Sequence, residues 1–170
     1  FQPLSMNIIK TLLILFSLAA LFPVAANAQA KGTKSFSFGL NGIDGDVAVS
    51  GELGYYFFEN IETGVQASYG TEGEDLLAVG PYAEIYFPQI RQATDLPLLP
   101  FVGASGNYYN FDGDSTTGVT GYGGLRYLIT PGVALYGAYE YRTAGDPIFV
   151  DDGELDDKDD RFTYGVQFLF

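Results

Sequence analysis

Seven charged residues of this 170-residue sequence fall within its segments of alternating apolar residues: Glu52, Glu62, Glu84, Arg126, Glu140, Arg142 and Arg161. Carboxylates held close together can do general acid and base work. No nucleophile or substrate-binding pattern accompanies these, and a charge buried without a partner is costly. Mutual pairing in two clusters, Glu62/Glu84/Arg126 and Glu140/Arg142/Arg161, is therefore expected ahead of a proton or ion path, with Glu52 at an intermediate level. His and Cys are both absent, which removes a Ser-His-Asp triad, a Cys nucleophile and any His- or Cys-ligated zinc or haem. The expectation is a non-enzymatic protein with no catalytic residue and no cofactor.

The other acids are distributed differently. Fifteen of the 21 lie in four stretches: Asp44 and Asp46; Glu72, Glu74 and Asp75; Asp112 and Asp114; and Asp146, Asp151, Asp152, Glu154, Asp156, Asp157, Asp159 and Asp160. Only Lys158 opposes them. A solvated rim is the first reading; oxygen donors would also suit Ca²⁺ or Mg²⁺. Asp112, Asp114, Asp151 and Asp152 are weak divalent-cation candidates. The run from Asp112 has acids at the first two ligand positions of an EF-hand loop but no Gly at the sixth and no Glu at the twelfth. Gly121-Tyr122-Gly123-Gly124 opens no helix, so it is rejected as a phosphate-binding loop. A net charge of −13 with eight Lys and Arg argues against a nucleic-acid partner, and an aromatic content of 16% argues against disorder.

The elements that must position these residues alternate with a period of two. The apolar or small positions run Phe36, Phe38, Leu40; Val47 to Phe57; Ile61 to Tyr69; Leu77 to Phe87; then, after a segment near 99–110 whose parity stays open, Val119 to Ile129; Val133 to Tyr141; and Phe162 to Phe170. Eight strands of about 8–12 residues suit a tilted membrane crossing. No segment after residue 28 has a helical stripe. Glu59-Asn60 and Pro131-Gly132 read as tight turns, with Pro88 to Pro97 a longer connection on the same side. Asn41 to Asp46, Thr71 to Asp75, Phe111 to Gly118 and Thr143 to Asp159 read as longer polar loops on the other, the last of them mobile. Every strand Glu and Arg then falls opposite the apolar face. A soluble ligand-carrying barrel would be apolar inside and charged outside; the reverse arrangement fits lipid outside. Aromatic residues mark two girdles: Tyr55, Phe57, Tyr86, Phe87, Tyr127 and Phe168 toward the short turns, and Tyr69, Tyr108, Tyr109, Tyr139, Tyr141, Phe162 and Tyr164 toward the loops.

Upstream, Met6 reads as the initiator. Lys10, the apolar run Thr11 to Val24 and the small-x-small site Ala26-Asn27-Ala28 read as a secretory signal peptide cleaved after Ala28. The run is shorter than the roughly 20 residues of a spanning helix. Residues 1–28 are thus expected to be leader and signal, and 33–170 a barrel domain. Removing Lys10 leaves seven Lys and Arg against 21 Asp and Glu, a net −14.

The C-terminal segment Tyr164-Gly165-Val166-Gln167-Phe168-Leu169-Phe170 alternates to a terminal Phe. With the eight-strand pattern it resembles the small eight-stranded outer-membrane β-barrels of Gram-negative bacteria, the outer membrane protein β-barrel domain family. The resemblance covers 33–170. It implies an all-β, closed, antiparallel up-and-down transmembrane barrel in the outer membrane. Tyr164, Val166, Phe168 and Phe170 would be the signal read by the barrel-assembly machinery, and membrane lipid and lipopolysaccharide the surrounding partners. The periplasmic peptidoglycan-binding domain of larger relatives is not expected after Phe170. An eight-stranded barrel is just wide enough for its own side chains, so the functional expectation is envelope integrity or surface interaction and adhesion, with an extracellular ligand or host surface left open. The alternative is a porin-like or hydrophobic-solute channel, with room between Tyr82, Tyr122 and Tyr136 at Gly80 and Gly124. A lipid-modifying enzyme is the weakest reading, since His is absent.

Overall fold

The structure, a computed structural model, describes residues 30–43, 46–72, 74–94, 96–111, 114–151 and 154–170. The signal-peptide assignment, with Ala26 and Ala28, lies outside the described residues, as do Asp112 and Asp152. Alternating apolar and polar residues form β1 (Lys34–Ile43), β2 (Asp46–Phe58), β3 (Ile61–Glu72) and β4 (Glu74–Tyr86). After the helix α1 (Pro88–Thr94) come β5 (Leu98–Phe111), β6 (Asp114–Thr130) and β7 (Val133–Ala144). Two short strands, β8 (Phe149–Asp151) and β9 (Glu154–Asp156), form a separate hairpin before β10 (Lys158–Leu169).

Eight strands close in the order β1-β10-β7-β6-β5-β4-β3-β2, each antiparallel to its neighbours. Closure follows from the period of two. Each strand presents one apolar face, and no edge is left with unpaired N–H and C=O groups. The apolar face points outward: Leu53, Val65, Val79, Ile85, Leu125, Ile129 and Leu135 are all exposed. In β5 the structure fixes the parity, with Leu99, Phe101, Ser105, Asn107 and Tyr109 inside and Val102 and Tyr108 outside.

At the short-turn end Asn60 has φ 62°, a left-handed conformation that Asn tolerates better than most residues. Register shifts between Tyr56 and Phe58 and between Leu128 and Thr130 mark bulges beside the two tight turns. The Pro88 to Pro97 connection carries the helix α1, where Pro88 supplies a preset φ at the first helical position. Only seven residues long, α1 is too short to show a stripe.

At the opposite end three of the four expected loops are largely strand. Pairing continues to Ile43↔Asp46, Glu72↔Glu74 and Phe111↔Asp114. Polar composition hid this because strands that leave the apolar zone need no apolar face. The fourth connection, expected to be mobile, carries the β8–β9 hairpin and buries Ile148 and Phe149.

The girdles also need correcting. Tyr86 and Tyr109 are buried in the lumen, because their even and odd positions in β4 and β5 carry the inward parity. Phe168 keeps outward parity but is covered, stacked with Phe36 at 6.5 Å between ring centroids. Phe57, Phe58, Phe87 and Tyr127 form the lower exposed ring; Tyr69, Tyr108, Tyr139, Tyr141, Phe162 and Tyr164 form the upper one.

Candidate functional site

The lumen is built from the inward positions, and its lower half is a single polar network. Glu62 and Glu84 are directly opposed in the β3–β4 register, and both are buried. Two like charges at this spacing require a cation, which β6 supplies. Arg126 reaches Glu84 Oε2 with Nη2 at 2.5 Å and Glu62 Oε2 with Nη1 at 3.3 Å. Arg126 Nη1 also donates to Gln167 Oε1 of β10 at 2.5 Å, and Gln167 Nε2 donates to Glu62 Oε2 at 3.2 Å. Ser35 of β1 and Tyr82 of β4 donate to Glu62 Oε1, the latter at 2.7 Å. Tyr86 Oη lies within reach of both carboxylates and donates to one at a time. The Arg126 guanidinium carbon lies 4.6 Å from the Tyr86 ring centroid and 4.8 Å from that of Phe101. Strands β1, β3, β4, β6 and β10 are thereby cross-linked through the interior.

Space for this network comes from a missing side chain. A Cβ at Gly54 would overlap the Glu62 carboxylate, Ser35 Oγ and Tyr82 Oη. The room expected at Gly80 and Gly124 is absent. A Cβ at either would run into a neighbouring strand's backbone, at the Gly106 and Gly137 carbonyls. These glycines serve strand approach instead of a solute path.

Higher in the lumen Arg161 Nε donates to Glu140 Oε2 at 2.9 Å, and Thr163 Oγ1 donates to Glu140 Oε1 at 2.6 Å. Arg142, expected with these two, donates through Nε to Asp159 Oδ2 at 2.8 Å and stacks on Phe149 with 4.5 Å from guanidinium carbon to ring centroid. Asp159 belongs to β10 rather than to a solvated loop; the next residue, Asp160, accepts from Tyr139 Oη at 2.7 Å. Phe149 in turn packs edge-on against Tyr109 at 5.6 Å, within a buried cluster of Leu76, Ala78, Tyr109 and Ile148. Ile148 and Phe149 of the 145–157 connection thus dock into the upper lumen. Their signal in the sequence was the apolar triplet Ile148-Phe149-Val150 inside an acidic run.

The structure places Glu52 beside the space between these two levels. That space is a cavity of about 30 Å³, lined by Glu52, Ser50, Gln66 and Tyr136 together with Glu84 below and the Glu140–Arg161 pair above. Of the cation candidates, Asp114 is exposed at the end of the β5–β6 hairpin, and Asp151 lies in β8. Among the described residues no group of three His, Cys, Asp or Glu is placed to hold a metal ion. The C-terminal residues Tyr164, Val166 and Phe168 lie on the seam that closes the barrel: Tyr164 pairs with Leu40, Val166 with Phe38 and Phe168 with Phe36. Phe170 exchanges backbone hydrogen bonds with Lys34 at 2.9 and 3.0 Å.

No protein-family profile matches the chain, and no curated protein matches it in sequence. Solved structures do match in shape. The N-terminal β-barrel domain of Pseudomonas aeruginosa OprF superposes with a TM-score of 0.65 at 15% identity, over 84% of this chain and 100% of that one. Neisserial surface protein A gives 0.57 at 16% identity, over 81% and 95%. The Yersinia pestis outer membrane protein Ail gives 0.52 at 14% identity, over 82% and 100%. The chain has the fold of the small eight-stranded outer-membrane barrels, with charge inside and apolar side chains outside.

Proposed function

We propose that the chain is an integral protein of the bacterial outer membrane, non-enzymatic, acting in envelope integrity or surface interaction through its acid-rich upper end. The observation that carries this reading is the continuous band of exposed Leu, Val and Ile on a closed sheet, bounded by two aromatic rings. In water such a band would be an aggregation liability, and in lipid it is the favourable face. The partners are then membrane lipid and lipopolysaccharide, with the barrel-assembly machinery reading Tyr164, Val166, Phe168 and Phe170 during insertion. The plugged lumen supports a surface role over a solute channel: the lower network and the Phe149 plug fill it at two levels.

The absence of Cys allows a clean test. Asp146→Cys in the upper connection should react with a membrane-impermeant maleimide on intact cells, whereas Gln92→Cys in α1 should react only after lysis. Labelling of both positions or of neither on intact cells would contradict the proposed orientation. Deleting 146–156 should then change envelope permeability or cell-surface binding while the barrel remains folded; no change in either would refute the role assigned to the upper end.

A further inference from the structure

Among the described residues the charges inside the lumen do not balance. Arg126 is committed to Glu62 and Glu84, Arg161 to Glu140 and Arg142 to Asp159. Glu52 is in no ion pair among the described residues, yet it stands half-buried against the same lumen cavity. A carboxylate held there without a counter-charge would be strongly unfavourable. The cavity beside it carries a second, independent mark. Tyr136 is only 8% exposed and lines the cavity, but its Oη has no hydrogen-bond partner. Tyr136 Oη and Ser50 Oγ lie over Gly39, each 2.5 Å from where a Cβ would stand, so the absence of that side chain brings both hydroxyls to the same wall. The Gln66 amide nitrogen is used in donating to Ser105 at 3.0 Å and Asn107 at 2.9 Å, which leaves its oxygen as an acceptor.

We propose that this cavity binds one small hard monovalent cation of the Na⁺ class, ligated by Glu52 with oxygens of Ser50, Gln66 and Tyr136 and completed by water. A volume of about 30 Å³ admits roughly two water-sized bodies, enough for an ion and one water and too small for an organic solute. Glu84, Glu140 and Arg161 also line the cavity, but Glu84 is paired with Arg126 and Glu140 with Arg161, so Glu52 is the carboxylate there left to a single positive charge. A divalent ion would call for a more carboxylate-rich set. The bound ion neutralises Glu52 in place and ties β2, β3 and β7 together midway between the lower network and the Arg161 pair.

The test is the urea midpoint of the barrel folded in zwitterionic detergent, with NaCl exchanged for N-methyl-D-glucamine chloride at constant ionic strength. A ligand that binds only the folded state raises the midpoint saturably. Wild type should gain midpoint with Na⁺. Glu52→Gln should show no Na⁺ response and, without Na⁺, a midpoint at or above that of wild type. Tyr136→Phe should need at least about threefold more Na⁺ for half of the effect. Equal Na⁺ responses in wild type and Glu52→Gln, or no response in wild type, would overturn the proposal. Should Glu52→Gln fail to fold, sodium NMR of wild type in micelles decides the matter: excess Na⁺ line broadening that Li⁺ displaces supports the site, and no broadening beyond that of empty micelles refutes it.

Discussion

Replacing Arg126 by Met removes the one guanidinium that lies between Glu62 and Glu84 while keeping much of the side-chain volume. At an effective dielectric of about 20, each carboxylate roughly 4 Å from the guanidinium is held by about 4 kcal/mol. The carboxylates, roughly 6 Å apart, repel by about 3 kcal/mol. Much of the net attraction is offset by desolvation, so the expected loss is that of breaking a buried pair, about 3–5 kcal/mol. With a urea slope of about 2 kcal/mol/M, this lowers the unfolding midpoint by about 1.5–2.5 M. Glu84→Gln alone leaves Arg126 paired with Glu62 and should cost far less. The triple variant Arg126→Met, Glu62→Gln, Glu84→Gln should recover at least half of the single loss, because the Glu62–Glu84–Arg126 network then holds no uncompensated charge. The assay is reversible urea unfolding in detergent or vesicles. A loss under about 1 kcal/mol for Arg126→Met, or a triple variant no better than the single one, would refute the electrostatic account of the lower lumen.

Three further outcomes follow from the geometry. Val65→Arg puts a charge on the exposed outer face and should cost about 2–4 kcal/mol in vesicles if Val65 sits near the midplane, read as reduced folding yield, while Val65→Leu should be neutral. Gly80→Ala drives a Cβ into the Gly106 carbonyl and should destabilise by about 1–3 kcal/mol or more; Gly121→Ala, with nothing within 4 Å of its Cβ, should stay within about 0.5 kcal/mol. Phe149→Ala should release the β8–β9 hairpin and speed protease cleavage within 145–157 by about tenfold or more, the equivalent of about 1.4 kcal/mol of lost docking energy; an unchanged rate would mean that Phe149 does not hold the plug.

The strands and the inside-out charge pattern were readable in the sequence from its period of two, and closure from the cost of unpaired edge N–H and C=O groups in lipid. If Leu53 and Val65 face out, Glu52 and Glu62 must face in. Height along the barrel was also legible for Glu62, Glu84 and Arg126, since counting from the short turns sets their level. What could not be read was which neutral groups complete the network. Ser35, Tyr82, Tyr86 and Gln167 share the inward parity with many other residues, and only the closed register brings them to Glu62. Arg142 was assigned to Glu140 by level alone, and the competing partner Asp159 went unnoticed because an acidic run resembles solvent-exposed loop. The same composition masked the strand extensions to Glu72 and Asp114, where hydrogen bonding continues after the hydrophobic alternation has ended.

The most direct test of a closed, lipid-facing barrel is the gel mobility of protein folded into phospholipid vesicles, compared before and after boiling in SDS. Unboiled protein should migrate apart from the boiled form, because a closed sheet with its buried Arg126 network resists SDS until heated. Identical mobilities, with the protein monodisperse in buffer without detergent, would contradict the assignment of the apolar face to lipid.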